Sequence, residues 1–124
     1  MIPGKGPRHP TLRKAFHYAR HGLRSAFETE RNIKIITAIG VLAIIASLII
    51  GLDLIEWAIV LLCCGAVVAA ELLNTAVETV VDLVSPEFHP LAGKAKDIAA
   101  AAVWIISLCS AAAGLCIYIN ALLD

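Results

Sequence analysis

Residues 35–52 form an uninterrupted run of 18 uncharged, mostly apolar positions. As a helix the run spans about 27 Å at 1.5 Å per residue, just enough for a bilayer core. A short acidic turn follows at 53–56. Residues 57–70 are again uncharged but number only 14. This second helix reaches bilayer length only by continuing through Glu71 and Asn74 toward residue 82. The third run, 98–123, holds 26 residues. The pattern predicts three spanning helices, over 33–52, 57–82 and 98–123.

Ahead of them the pattern changes. Leu12, Phe16, Ala19, Leu23 and Phe27 recur at spacings of three and four. Arg13, Lys14, His17, Arg20, His21 and Arg24 fill the rest of the wheel. That is an amphipathic helix, expected over 12–30 and lying in the membrane interface. Pro3, Pro7 and Pro10 keep the first residues out of it, leaving 1–11 as a flexible tail. The expected fold is an all-α membrane protein, one domain over 1–124, with a surface helix and three transmembrane helices.

Composition agrees. The chain is 60% hydrophobic and 16% charged, against about 45–50% and 25% in soluble domains. A domain of 124 residues has too much surface per residue to hide that excess in a core of its own. Net charge is zero, but residues 1–34 carry eight basic and two acidic side chains, a balance of +6. The rest carries Lys94 and Lys96 against eight acids, a balance of −6. Lys and Arg before the first span and between the second and third place the N-terminus in the cytoplasm. The 53–56 turn and Asp124 then face outward. Residues 1–34 are too long and polar for the leading segment of a signal peptide. The basic stretch lacks zinc spacing and stacking aromatics, so no nucleic-acid partner is expected. Cys63, Cys64, Cys109 and Cys116 all fall within the spans and read as apolar packing residues, not as a disulfide framework.

The candidate chemistry sits on the second helix. At about 100° per residue, Glu71, Asn74, Glu78 and Asp82 share one narrow face. Leu72, Leu73, Ala76, Val77, Val80 and Val81 cover the other. A charge within a span costs about 3 kcal/mol, so a helix facing only lipid would not keep this set. It reads either as an internal polar network or as a site opening toward the cytoplasm. Glu71 and Glu78 differ in height by about 10 Å. Glu78, nearer the headgroups, suits Mg²⁺, which takes oxygen ligands. Glu71, deeper, suits a general base. Asn74 lies between and can orient either. Glu28 or Glu30, at the end of the surface helix, can add a second metal ligand. A polar loop over 86–97 offers Lys94 and Lys96 to phosphates, with Asp97 near the start of the third span. No P-loop or kinase glycine-rich motif is present in the sequence.

These residues resemble the small prokaryotic integral-membrane lipid kinases, the diacylglycerol kinase and undecaprenol kinase family. The match runs Glu71-Leu-Leu-Asn74-Thr-Ala-Val-Glu78-Thr-Val-Val-Asp82, then His89, then Gly93-Lys-Ala-Lys96-Asp97. Residues 15–23 and Glu30-Arg31-Asn32 join it, so the resemblance covers about 12–120.

The resemblance implies a homotrimer in the bacterial inner membrane, using ATP and Mg²⁺ on a membrane lipid alcohol. By motif position Glu71 looks like the catalytic base, and Glu30 and Glu78 like the metal-binding acids. Tyr18, Glu30, Glu78, Lys96 and Asp97 look like nucleotide contacts. Arg13, Asn74, Asp82, His89 and Lys94 fall to the substrate or the polar network. The 30–32 and 89–92 stretches look more like the undecaprenol branch. Undecaprenol is therefore the favoured acceptor, giving undecaprenyl phosphate, with diacylglycerol giving phosphatidic acid as the alternative. The reading of another class is a non-enzymatic oligomeric scaffold or channel subunit, built on the small residues of the third span.

Overall fold

The computed structural model describes residues 11–124; the tail expected over 1–11 lies outside the described residues except for Thr11. Four helices follow in order: α1 (Leu12–Thr29), α2 (Arg31–Ile50), α3 (Leu54–Val84) and α4 (Pro90–Leu123). The last three are each long and apolar enough to cross a membrane, and the chain is a multi-pass membrane protein.

Local chemistry sets each boundary. Thr11 caps α1 by accepting from the Lys14 amide. Between α1 and α2 stands a single extended residue, Glu30, with φ −112° and ψ 116°. Its amide donates to the Ala26 carbonyl at 2.8 Å, and its carboxylate makes no capping bond. At the opposite end of α2, Gly51 adopts φ 80° and ψ 75°. That left-handed turn favours glycine, and it lets the Gly51 amide close on the Ser47 carbonyl. Asp53 and Glu56 then form a reciprocal capping box that starts α3.

The return is tighter than the charge pattern suggests. Only Ser85–His89 links α3 to α4. His89 caps α4 by accepting from the Leu91 amide on Nδ1, and Pro90 takes the first turn, where its missing N–H costs nothing. Helix therefore begins eight residues before the apolar run, and Lys94, Lys96 and Asp97 stand on helix instead of in a loop. The charged positions masked its start. α3, with 31 residues, and α4, with 34, measure about 46 and 51 Å, longer than a bilayer core is thick.

α3 is the central element. α4 packs along it extensively, α2 also lies against it, and α1 touches both α2 and α3. The fully enclosed apolar set is small: Ala26, Ile33 and Val60. Leu48, Ile49, Leu61, Leu62, Trp104 and Leu122 are exposed, a surface that lipid can cover. On α1, Leu12 and Phe16 also face outward.

Candidate active site

The end of the molecule that carries the α1–α2 corner and the α3–α4 link is called the basic end here. There the C-terminal half of α3 meets the first turn of α2. Glu71 is only 4% exposed and Asn74 is also buried. Four residues on, Glu78 accepts from Asn74 Nδ2 at 3.2 Å. Glu78 is thereby turned back along the helix, and Asn74 Oδ1 is left buried with no partner.

α2 supplies the rest. The corner at Glu30 brings that carboxylate within electrostatic reach of Glu71, and the Asn32 side chain sits close beside Glu71. Because Glu30 does not cap its own helix, its carboxylate is free for this role. Below the cluster, Lys96 of α4 forms an ion pair with Asp82 of α3 and lies within electrostatic reach of Glu78. One site thus joins three helices and a corner: Glu30 from the α1–α2 corner, Asn32 from α2, Glu71, Asn74, Glu78 and Asp82 from α3, and Lys96 from α4.

Among the described residues, Glu30, Glu71 and Glu78 have no ion-pair partner; the pairs present are Arg24–Glu28 and Lys96–Asp82. Two further carboxylates, Glu30 and Glu78, within electrostatic reach of a buried Glu71 that has no ion-pair partner are costly in a low-dielectric layer. The arrangement suits a hard divalent cation. No three metal-ligating side chains among the described residues close on one point. Mg²⁺ does not need them to, since it commonly takes one or two carboxylates and completes its shell with water and substrate phosphates. Glu78 and Glu30 are the donors that fit, with Asn74 Oδ1 an unspent oxygen beside them.

The other sequence-selected residues stand apart. Arg13 and Tyr18 lie on α1, with Tyr18 half-buried beside the His17 ring, and no hydrogen bond or ion pair ties them to the acids. His89 is engaged as the α4 cap. Lys94 and Asp97 border a separate shallow depression with Phe88 and Pro90. Asn32 was part of the matched Glu30-Arg31-Asn32 stretch but was given no role from the sequence. Its signal was there, as a polar side chain two residues after Glu30 at the head of an apolar run.

The profile described as prokaryotic diacylglycerol kinase matches residues 17–118. The chain is 40% identical over 106 residues to the undecaprenol kinase of Bacillus subtilis, covering 86% of each chain. It is 37% identical over 101 residues to a diacylglycerol kinase of Helicobacter pylori, covering 82% of this chain and 79% of that one. It is 42% identical over 116 residues to a diacylglycerol kinase of Synechocystis, covering 93% of this chain and 66% of the relative. A scaffold or channel subunit does not account for these matches. The chain belongs to the prokaryotic diacylglycerol kinase and undecaprenol kinase family and is a membrane lipid kinase acting on a lipid alcohol.

Proposed function

We propose that the protein transfers the γ-phosphoryl group of ATP to the primary hydroxyl of diacylglycerol, giving phosphatidic acid. The observation that carries the reading is Glu71, a buried carboxylate beside Asn32 and left without a basic partner. Glu71 takes the proton from the lipid hydroxyl, and the oxygen attacks the γ-phosphorus in line. Asn74 fixes the position of Glu78, and Lys96, with Lys94, Asp97 and Tyr18 further out, meets the phosphates and base of the nucleotide. Asp82 sets the position of Lys96. Mg²⁺, held by Glu30 and Glu78, would offset charge on the transferring group.

The acceptor named here differs from the one the sequence favours. The family profile and the Helicobacter and Synechocystis relatives carry the diacylglycerol name, and they outweigh two short local likenesses. Undecaprenol remains the second reading on one observation, the Bacillus relative at 40% identity. Both alcohols present the same reacting group, and apolar surfaces separate hydrocarbon tails weakly.

The site lies at the basic end, so ATP reaches it from the cytoplasmic face of an inner membrane, with the N-terminus inside. A cysteine placed at Glu87 is then shielded from outside labels in intact cells, and ready labelling there refutes the orientation. We propose a homotrimer as the working assembly; native mass spectrometry in detergent returning only monomer refutes it. The deciding experiment is transfer from labelled ATP to vesicles holding dioleoylglycerol or undecaprenol. Label in phosphatidic acid supports the first reading, and label in undecaprenyl phosphate alone replaces it with the second.

A further inference from the structure

A groove of about 510 Å³ opens between α2 and α4, with α3 as its floor. Its lining carries no charged side chain. On the floor it starts at Val67, one helical turn or about 6 Å from Glu71 on the same face, and runs about 10 Å further to Val60. Gly40 and Gly114 line the two walls. At the far end the walls are tied together. The Tyr118 hydroxyl donates to the Ala43 carbonyl at 2.7 Å and lies 3.0 Å from Ser47 Oγ. Ser47 is fully buried there and donates to the same carbonyl. The groove thus has an open apolar body that begins one helical turn from Glu71 and a polar bridge across its other end.

We infer that this groove holds one hydrocarbon tail of the lipid acceptor and that the Ser47–Tyr118 bridge limits how much of the tail it takes. Tyr118 is then a specificity-determining residue. The inference rests on the lipid-alcohol reading above. Its occupant follows from continuity: a hydroxyl brought to Glu71 arrives with its tail attached, and the apolar space that begins one turn away is this groove. Its volume falls within the range of small-molecule sites, about 300–1,000 Å³. Tail discrimination in such a groove is modest, since each methylene adds little once part of the chain stays in lipid.

The test uses the full-length enzyme in mixed micelles, with dioctanoylglycerol, dioleoylglycerol and undecaprenol as acceptors at fixed ATP. Gly114→Leu fills the groove, and a Cβ there meets nothing within 4 Å, so the backbone need not move. It is expected to raise the KM for dioleoylglycerol by about five-fold or more while the KM for ATP stays within about two-fold. Tyr118→Ala opens the end and is expected to shift kcat/KM toward the longer diacylglycerol by about three-fold or more. Tyr118→Phe removes only the bridge, keeps the packing, and is expected to shift it in the same direction by less. If Gly114→Leu folds and leaves the lipid KM unchanged, or if no Tyr118 variant alters tail preference, the inference is overturned. If Gly114→Leu instead breaks the detergent-purified oligomer, the groove belongs to a second copy of the chain and the inference is again overturned. A wild-type enzyme inactive on all three alcohols overturns the lipid-alcohol reading itself, a different result from active enzymes with unchanged preference.

Discussion

The two halves of α3 each bury a carboxylate, and they are finished differently. At the far end, Glu56 is 8% exposed and fully engaged. It accepts from the Asp53 amide at 3.1 Å through one oxygen and faces Asn120 Nδ2 at 3.4 Å through the other. Its own amide reaches Asp53 at 2.8 Å, and the Ser47–Tyr118 pair nearby closes on the Ala43 carbonyl. At the basic end, Glu71 has Asn32 beside it and two more acids for neighbours. The buried side-chain oxygens without partners among the described residues are on Thr37, Asn74 and Thr75, all in this half. A satisfied cluster is complete as fold: it fixes where helices start and how they register. An unsatisfied one holds capacity for charge that the chain does not itself supply, as a site for ligand and metal requires.

The largest test of that contrast exchanges the two acids for their amides. Glu71→Gln keeps the shape but removes the proposed base. Turnover is expected to fall by about 10²-fold or more, with ATP and lipid affinity close to normal. The check is single-turnover phosphoryl transfer alongside equilibrium nucleotide binding. Full activity in this variant would remove the catalytic meaning from the basic-end cluster.

The two acids of the site itself should separate next. Glu78→Gln keeps size but loses the charge a Mg²⁺ ligand needs. The expected result is ATP affinity lowered by about ten-fold at limiting Mg²⁺, together with lost turnover. Nucleotide titrations over a range of Mg²⁺ measure it. If Glu71→Gln loses metal-dependent ATP binding while Glu78→Gln keeps it, the roles are reversed.

At the far end the expectation turns from rate to stability. Glu56→Gln leaves one capping interaction weakened and a buried amide where a carboxylate matched two donors. The expected cost is about 1–3 kcal/mol, with kcat per folded molecule unchanged. Thermal unfolding in detergent, followed by assay of the surviving fraction, measures both. A drop in kcat without a drop in stability would make the far end part of the working site, and the contrast would fail.

How much of this was legible beforehand follows the same division. The face of Glu71, Asn74, Glu78 and Asp82 shows in the sequence because one helix carries all four, and helical periodicity is local. The Glu30 corner was less visible, since nothing local says that its side chain forgoes capping its own helix. The far-end network was not visible. Ser47 and Tyr118 stand 71 residues apart, and each alone looks like a lone polar residue in an apolar run. Only the packing of α2 and α4 on α3 brings them together. The head of α4 was hidden for another reason: Lys94, Lys96 and Asp97 interrupt the apolar pattern, while the helix signal there is the His89 cap and Pro90.

The smallest expected effect lies at the margin between the two kinds of cluster, in the Lys96–Asp82 pair. It sits at the basic end but is satisfied, and both side chains are well exposed, at 39% and 66%. Exposed ion pairs contribute little to stability, so either partner's loss should scarcely move unfolding. The two losses differ in function if Lys96 meets phosphate. Lys96→Met removes a positive charge from the nucleotide's path, whereas Asp82→Asn leaves that charge in place and frees it from its partner. ATP binding is expected to weaken by a few-fold to about ten-fold in Lys96→Met and to change by less than about two-fold in Asp82→Asn. The double variant should then match Lys96→Met, because the carboxylate matters to ATP only through the lysine it positions. Equal losses in both single variants would make the pair a structural tie between α3 and α4, like the bonds at the far end. A larger loss in Asp82→Asn would make the carboxylate itself a ligand-facing group and extend the unsatisfied cluster by one more turn of α3.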